Sequence, residues 1–338
     1  MFSTVRWFAN TVVREKIPSS GRDESMKRFA LIGAGGYIAP RHLAAIRDTG
    51  NLLVAALDPV DASERVHTFF PDARVFREEG EFEAYLRSLY ERGEGVDYVS
   101  IASPNHLHAE HIRLAIRVGA HALCEKPLAV RVEDLEDLKR REQGTGRRVY
   151  TVFQLRVHPE LARLRERLRA DDRVHEVTLT YVTGRDPSYL KTWKGQSEKS
   201  GGLAMHIGIH FFDLLLWYFG GPVHLEVHRR DDTAVAGFLE LERARVRWFL
   251  SLDAAYVPEA YRREGRTTYR SIAVNGEEID FSRVPPELHT EVYRRTLAGN
   301  GFGIREAEAS VRLTAAIREL PVVSPSPPYI HPFLAGTA

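Results

Sequence analysis

The first half of the chain alternates short apolar runs with segments that carry apolar residues at helical spacing. Apolar runs of strand length occupy residues 28–32, 52–57, 72–76, 97–102, 120–124 and 148–153. Between them, residues 81–92, 109–118 and 133–142 have the pattern of amphipathic helices. Strands and helices that alternate at this pitch predict a parallel sheet with helices on both faces.

The second half of the chain has a different pattern. A helix predicted at 161–168 is followed by strand patterns at 174–183, 223–228, 233–241, 244–252, 268–274 and 277–281. The pair Asn275-Gly276 is a hairpin signal between the last two. Successive strands with short turns predict an antiparallel sheet with one exposed face. The predicted fold class is α/β, with a doubly wound parallel domain (26–150) and an α/β domain with an open-faced, mostly antiparallel sheet (151–338).

Residues 1–25 continue neither pattern. They contain no apolar stretch long enough for a signal peptide, and a cluster of breakers at 17–21 precedes Met26. The first strand pattern begins directly after Met26. We interpret residues 1–25 as a leader outside the folded domains, with Met26 as the natural start.

Composition narrows the classes of function. The chain of 338 residues has a formal net charge of +1 and no basic block with interleaved aromatic residues, which argues against a nucleic-acid partner. No apolar run reaches the roughly 18 residues that a membrane helix needs. The single cysteine, Cys124, permits no internal disulfide and favours a reducing, cytoplasmic compartment.

A glycine-rich turn follows the first predicted strand. In Gly33-Ala34-Gly35-Gly36-Tyr37-Ile38-Ala39, the glycines allow close approach of a pyrophosphate to the start of the next helix. Asp58 ends the second strand, where a carboxylate can accept hydrogen bonds from ribose hydroxyls. No arginine stands near Asp58 in the pattern to meet a 2′-phosphate. The turn therefore predicts a dinucleotide site that prefers NAD over NADP.

Lys126 stands at the end of another apolar strand and is followed by Pro127. Ligands of α/β sheets lie at the carboxyl ends of their strands. Only seven of the 47 basic residues are lysines, so a lysine retained here is distinctive. Burial can lower the pKa of a lysine but not usefully that of an arginine. Lys126 is accordingly a candidate catalytic residue.

Two groups of histidines are candidate metal ligands. His106, His108 and His111 have no supporting cysteine or carboxylate spacing, so we interpret them as loop and surface histidines, with His108 near the cofactor. His206 and His210 share one face of a helix predicted to run to Tyr218, with Asp213 one turn further on. No third histidine or glutamate completes a zinc site there. The sequence therefore predicts no metal, and it favours His210 as a general base beside Lys126.

Four motifs in this order resemble the glucose-fructose oxidoreductase, inositol dehydrogenase and MocA family over residues 26–320. They are Gly33-x-Gly35, Ser103-Pro104-Asn105-x-x-His108, Glu125-Lys126-Pro127 and Gly201-Gly202…Gly208-x-His210-x-x-Asp213. The resemblance implies a Rossmann domain, a dimer or tetramer formed through the open sheets, and NAD. It implies cofactor contacts from Gly33, Gly35, Gly36, Tyr37, Ile38, Asp58, Ser103, Pro104, Asn105, His108, Glu125 and Lys126.

Further segments resemble the subgroup that oxidises the C3 hydroxyl of UDP-N-acetylglucosaminuronic acid on the route to diacetamido-uronic acids of lipopolysaccharide. They are 33–42, 154–159, 193–195 and 298–303. The resemblance implies that Lys126 and His210 are catalytic, and that some members regenerate NAD by reducing 2-oxoglutarate. The expected substrate contacts are Arg156, Tyr189, Trp193, Lys194, Ser200, Gly201, His206 and His210.

Within that list, Arg156 and Lys194 are the predicted partners of the substrate's diphosphate and carboxylate, together with the backbone N–H groups at 200–202. His206 is a departure, because the family often has aspartate four residues before the catalytic histidine. Two alternatives stay open: another sugar or inositol dehydrogenase of the same fold, and a non-catalytic regulator that senses sugar and NAD.

Overall fold

The computed structural model describes residues 26–281 and 285–335, so the predicted leader lies outside the described residues. Within them the chain builds two six-stranded sheets. The first sheet contains β1 (Arg28–Ile32), β2 (Leu52–Leu57), β3 (Arg74–Phe76), β4 (Tyr98–Ile101), β5 (His121–Cys124) and β6 (Val149–Thr151). All its described pairings are parallel, in the order β3-β2-β1-β4-β5-β6. This is the doubly wound order of dinucleotide-binding domains, with its switch point between β1 and β4.

Helices cover the first sheet. They are α1 (Ala39–Asp48), α2 (Ser63–Phe69), α3 (Glu79–Glu91), α4 (His108–Arg117) and α5 (Val132–Thr145). Pro40 lies in the first turn of α1, where its missing N–H leaves no hydrogen bond unmade. Gly146 ends α5 in the left-handed conformation. The predicted parallel domain is confirmed.

The second sheet contains β7 (His175–Thr183), β8 (Pro222–Arg230), β9 (Ala234–Leu241), β10 (Ala244–Ser251), β11 (Thr268–Val274) and β12 (Glu277–Asp280). Its order is β12-β11-β7-β10-β9-β8. The pair β7–β10 is parallel, while the other described pairs are antiparallel. Asn275 and Gly276 have φ values of 51° and 86°, as the predicted hairpin requires. The predicted mostly antiparallel sheet is confirmed.

One face of the second sheet packs on helices. The helices of this half are α6 (Pro159–Arg169), α7 (Ser197–Ser200), α8 (Gly202–His206), α9 (Ile209–Phe219), α10 (Glu259–Arg263), α11 (Leu288–Leu297), α12 (Ile304–Glu319) and α13 (Pro332–Ala335). The opposite face receives the last part of the chain. Tyr329 packs on Phe238 with ring centroids 4.2 Å apart, and His331 lies 3.1 Å from the Thr180 hydroxyl. The chain's own C-terminal segment therefore covers part of the predicted open face.

The apolar cores do not follow the predicted division at residue 150. Val292 and Tyr293 of α11 belong to the core of the parallel sheet, as do Ala307 and Val311 of α12. On its other side α12 contributes Leu313 to the core of the second sheet. The chain thus returns from the second domain to complete the first.

The predicted helix through His206 and His210 is wrong in one respect. It is broken at Ile207–Gly208, and the segments Ser197–His206 and Ile209–Phe219 meet at 47°. A side chain on Gly208 would place its Cβ 2.5 Å from the Leu250 side chain, so the break lies against the sheet. No single helix among the described residues is long and apolar enough to cross a membrane, although this bent pair reaches that length and apolarity together.

Candidate active site

A cleft of about 680 Å³ lies between the two domains, at the carboxyl ends of the parallel strands. Twelve of the predicted site residues line it: Tyr37, Ile38, Ser103, Asn105, His108, Glu125, Lys126, Tyr189, Trp193, Lys194, His206 and His210. A cleft of this size at the switch point of a doubly wound sheet is where such folds bind their ligands.

The glycine-rich turn forms one end of the cleft. Gly33 has φ +88°, and a Cβ there would lie 2.6 Å from the backbone of Ala102. A Cβ on Gly35 would lie 2.8 Å from Asp58, whose Oδ2 accepts a hydrogen bond of 2.8 Å from the Gly35 N–H. Gly36 continues the turn by donating to the Gly33 carbonyl at 3.1 Å. Only glycines permit this close packing of turn, strand end and carboxylate, so the residues fit a pyrophosphate and ribose site.

Asp58 stands as predicted, but the expectation that no arginine lies near it is wrong. Arg77 donates to the carbonyl of Pro59 at 3.3 Å, and Arg65 donates to the carbonyl of Gly36 at 3.0 Å. Arg65 lies on α2, the next helix after Asp58, and Arg77 follows β3. The Asp58 carboxylate itself also accepts from the Val60 N–H at 2.9 Å, which fixes its orientation.

Lys126 follows β5, and its Nζ donates to the carbonyl of His206 at 3.1 Å. Burial lowers its pKa; the Glu125 carboxylate opposes this, and the positive charges of Arg270 and Lys194 add to it. Lys126 therefore lies among other basic side chains in a buried site. In its protonated form, a lysine there favours an approaching oxygen that gains negative charge.

His210, near the start of α9, lies beside Gln154, with its Nε2 3.2 Å from the side-chain nitrogen of Gln154. Burial and the charge of Lys126 hold the pKa of His210 well below its usual range. The ring is neutral at physiological pH and can accept a proton. Lys126 and His210 thus lie in one cleft, as predicted.

His206 is the last residue of α8, and its ring contacts the side chains of Asn105 and Trp193. Its Nδ1 is 3.1 Å from the amide nitrogen of Asn105, and the Trp193 ring meets it edge-on at 5.2 Å. Burial, followed by the charges of Lys126 and Lys194, holds its pKa well below the usual range. An aspartate at this position would be an anion beside Lys126, whereas His206 is neutral.

The expectation that His108 and His111 are surface histidines is wrong. Both are buried. The two ring nitrogens of His108 lie 2.7 Å from the Pro127 carbonyl and 2.8 Å from the Ser103 carbonyl, while His111 pairs with the Ser103 hydroxyl at 2.7 Å. Burial lowers the pKa of His108 to about 4, while the hydrogen bonds to the Pro127 and Ser103 carbonyls oppose this shift. These histidines fix the Ser103-Pro104-Asn105 turn onto Pro127.

Arg156 is not in the cleft, which corrects its predicted contact with substrate anions. Its guanidinium forms two hydrogen bonds with the Asp213 carboxylate, at 2.7 and 2.6 Å, and both side chains are buried. Ser200 and Gly201 line an adjoining cavity that shares Tyr189, Lys194 and His206 with the cleft. The five-residue α8 that begins at Gly202 does not present its start to the cleft.

Five lining residues with polar side chains were not among the predicted site residues: Arg41, Gln154, Tyr181, Arg185 and Arg270. Arg185 and Lys194 lie over the Tyr189 ring at 5.5 and 5.2 Å, and Arg270 lies over Tyr181 at 5.0 Å. No local signal distinguishes these arginines from the many others in the chain. Among the described lining residues, one carboxylate, that of Glu125, faces five basic side chains: Arg41, Lys126, Arg185, Lys194 and Arg270. Such a cleft attracts polyanionic ligands.

Comparison with known proteins agrees with this geometry. Residues 27–153 match the family model described as an oxidoreductase family with an NAD-binding Rossmann fold, and residues 165–296 match its C-terminal alpha/beta domain. The chain belongs to this NAD-dependent oxidoreductase family, the one that the four sequence motifs resembled.

Among solved structures, the chain is similar to the WlbA (WbpB) dehydrogenase of Thermus thermophilus. The identity is 59% over 91% of this chain and 100% of that one, with TM-scores of 0.90 and 0.89 for its complexes with NAD and α-ketoglutarate and with NAD and UDP-GlcNAcA. Among curated proteins, inositol 2-dehydrogenase of Rhizobium meliloti is 27% identical over 57% of this chain and 55% of that protein. The chain spans about a third to a half of the lengths of the first curated relatives that it matches.

Proposed function

We propose that this protein oxidises the C3 hydroxyl of UDP-N-acetylglucosaminuronic acid to the 3-keto sugar, with NAD as the hydride acceptor. One observation carries the proposal: Lys126 and His210 stand together in a cleft whose other charged groups are mostly cations. The substrate has a diphosphate and a carboxylate, and each needs positive partners. The 59% identical relative solved with NAD and UDP-GlcNAcA supports the same substrate class.

The roles of the two central residues follow from their charges. His210 is neutral, so it accepts the proton of the C3 hydroxyl. Lys126, in its protonated form, stabilises the alkoxide charge that develops on the same oxygen. NAD, when bound at the Gly33–Ile38 turn, supplies the acceptor for the hydride. Gln154 keeps the His210 ring in place during proton transfer.

The substrate's anionic groups are assigned to Lys194, Arg185 and Arg270, in place of Arg156. Lys194 and Arg185 share the Tyr189 ring at the cleft wall, where they can meet one extended anion together. Arg270 lies close enough to Lys126 and His210 to shift both of their pKa values, so it is placed for the uronate carboxylate.

The proposal has three further parts. The cationic cleft would also bind 2-oxoglutarate, which would reoxidise NADH in place; the relative solved with NAD and α-ketoglutarate supports this. A homotetramer formed through the open sheet faces is proposed from the family resemblance. A cytoplasmic location is proposed because the single thiol, Cys124, is buried and unpaired.

The test is incubation with NAD and the uronate, followed by mass spectrometry for the loss of two hydrogens. UDP-N-acetylglucosamine and myo-inositol are the neutral controls, and both should be poor substrates. Lys194→Ala removes one charge-assisted contact worth about 1.5–3 kcal/mol, so it should raise the KM for the uronate more than about tenfold. Equal oxidation of UDP-N-acetylglucosamine would show that the carboxylate is not recognised, and preferential oxidation of myo-inositol would favour a polyol dehydrogenase.

A further inference from the structure

A buried polar network lies directly behind the candidate active site. One carboxylate oxygen of Glu125, Oε1, lies 2.9 Å from Nε2 of His289 and 3.2 Å from Nε2 of His42. The side chains are 9%, 1% and 0% exposed, respectively. Glu125 precedes Lys126 in the chain, and both residues line the cleft. The network therefore acts on the same wall that carries the candidate catalytic lysine.

The network joins four elements that are distant in sequence. His42 lies on α1 and His289 on α11, while Glu125 follows β5. The second ring nitrogen of His42, Nδ1, is 2.7 Å from the Tyr293 hydroxyl, which is 2.7 Å from the hydroxyl of Ser100 on β4. Such a chain of contacts fixes each ring in one orientation.

One assignment of protons satisfies these contacts and uses each hydrogen once. Each histidine donates its Nε2–H to the Glu125 carboxylate, Tyr293 donates its hydroxyl hydrogen to Nδ1 of His42, and Ser100 donates to Tyr293. Both imidazole rings are therefore oriented with Nε2 toward Oε1 of Glu125.

The same three side chains could hold a metal ion, since their ligand atoms lie within 4.8 Å of one another. Two histidines and a carboxylate are a common zinc set. Distances of 2.9 and 3.2 Å are, however, those of N–H···O hydrogen bonds, and Nδ1 of His42 already has a partner in the Tyr293 hydroxyl. The hydrogen-bond arrangement accounts for the geometry without an ion, and a metal becomes an outcome of the test.

We propose that His42 and His289 are positioning residues that keep Glu125 ionised at the cleft wall, so that Lys126 stays a cation when it meets the substrate oxygen. The mechanistic reason rests on the proposed function, because Lys126 stabilises an alkoxide there. The effect of the Glu125 charge on the pKa of Lys126 does not depend on that function. His42 and His289 touch neither substrate nor lysine and act only through Glu125.

The electrostatics support this. Burial alone would raise the pKa of Glu125, but the hydrogen bonds from His289 and His42 hold it well below its usual range. The Glu125 charge in turn opposes the burial that lowers the pKa of Lys126. The other titratable groups that interact with the Glu125 charge are His108, Cys124, His210 and Tyr293, while Arg41 faces His289. Arg270 and Lys194 lower the pKa of Lys126 further, whereas the Glu125 carboxylate raises it.

The test measures the pKa of Lys126 by NMR on full-length protein with 13C at Cε of lysine, without substrate. The chain has seven lysines, and the Lys126 signal is identified by its loss in Lys126→Arg. Glu125→Gln removes the carboxylate charge, and His289→Ala removes one of its two donors. Each should lower the pKa of Lys126, by about one unit for Glu125→Gln. His289→Gln, which retains an N–H donor, should recover part of the shift.

His224→Ala is the matched control, because this exposed histidine also pairs with a glutamate, Glu226, but on β8. It should leave the titration of Lys126 unchanged. An unchanged pKa of Lys126 in Glu125→Gln, or in folded His289→Ala, would overturn the proposal. If His289→Ala does not fold, Glu125→Gln decides, and an unchanged pKa of Lys126 in that variant overturns the proposal. One equivalent of zinc bound to the purified protein and lost in His289→Gln would replace it with a metal site.

With the uronate as substrate, the alkaline limb of the kcat/KM profile should move to lower pH in the same variants. The limb moves to lower pH because Lys126 must be protonated, and the lysine loses its proton at lower pH when residue 125 is uncharged. If the uronate is not turned over at all, the proposed function fails while the NMR titration still decides the role of the two histidines.

Discussion

Removal of Arg156 tests whether this arginine serves stability or substrate binding. Arg156 and Asp213 form a bidentate ion pair in which the side chains are 7% and 2% exposed. The guanidinium also lies 5.1 to 5.4 Å from the rings of Phe153, Trp217 and Phe302. Breaking a buried pair by removing one partner leaves an uncompensated charge and costs about 3–5 kcal/mol.

Arg156→Met keeps much of the packing between the rings and removes the charge. We expect its melting temperature to fall by roughly 5–15 °C at pH 8. The KM for the uronate should remain within about twofold, since Arg156 does not reach the cleft. Melting followed by circular dichroism, and kinetics at a temperature well below the transition, measure the two quantities.

The loss of stability in Arg156→Met should depend on pH. Burial raises the pKa of Asp213 to about 6 even beside Arg156, and without the arginine it lies higher still. In the unfolded chain an aspartate has a pKa near 3.9, so only the folded variant takes up a proton between these values. Stability is lost as pH rises through the folded pKa and is regained below it. Arg156→Met should therefore be closer to the unmutated protein at pH 5 than at pH 8.

Asp213→Asn is the matched control. It leaves the guanidinium charged at all these pH values, so its loss of stability should persist at pH 5. Equal pH dependence in the two variants would refute the charge argument. A tenfold rise in KM for Arg156→Met, with unchanged melting, would instead restore the substrate contact that the sequence predicted.

Two further predictions concern the cofactor and the reacting atoms. Lys126→Ala and His210→Asn should each lower kcat by about a hundredfold or more while calorimetry shows NAD binding nearly unchanged; a double variant that retains most activity would place the chemistry elsewhere. NAD should bind more tightly than NADP, because the Asp58 carboxylate repels a 2′-phosphate, and Asp58→Ala should narrow the difference. Arg77→Ala should widen that difference, since this arginine approaches Pro59 and would attract the phosphate; equal affinities in the unmutated protein would contradict the role of Asp58.

The parts of the fold that depend on local pattern were predictable. The strands, the glycine-rich turn and the Asn275-Gly276 hairpin follow from neighbours in sequence, and the structure confirms them, although several strand ends differ from the predicted ones. Lys126 and His210 came from motifs whose positions at strand and helix ends place them at the cleft. In each of these features, the residues that determine the local structure all lie in one short segment of the chain.

Arg156 shows where such reasoning stops. Its motif marks it as distinctive, but Asp213 lies 57 residues away, and only the packed structure shows that the two neutralise each other. The same limit applies to Arg185 and Arg270, which reach the cleft from loops and strands of the second domain. Side-chain direction in these cases depends on tertiary packing, which sequence spacing does not encode.

The return of α11 and α12 to the first domain has a consequence for biosynthesis. A ribosome has translated the whole parallel sheet long before it reaches residues 288–319, so the nascent first domain lacks Tyr293, Ala307 and Val311 of its own core. The Ser100 hydroxyl and the His42 imidazole also lack their hydrogen-bond partner until Tyr293 has been translated. Nearly the entire chain must leave the exit tunnel before the dinucleotide-binding half can close. Premature termination before residue 288 therefore yields an incomplete domain with exposed apolar surface rather than a smaller functional one.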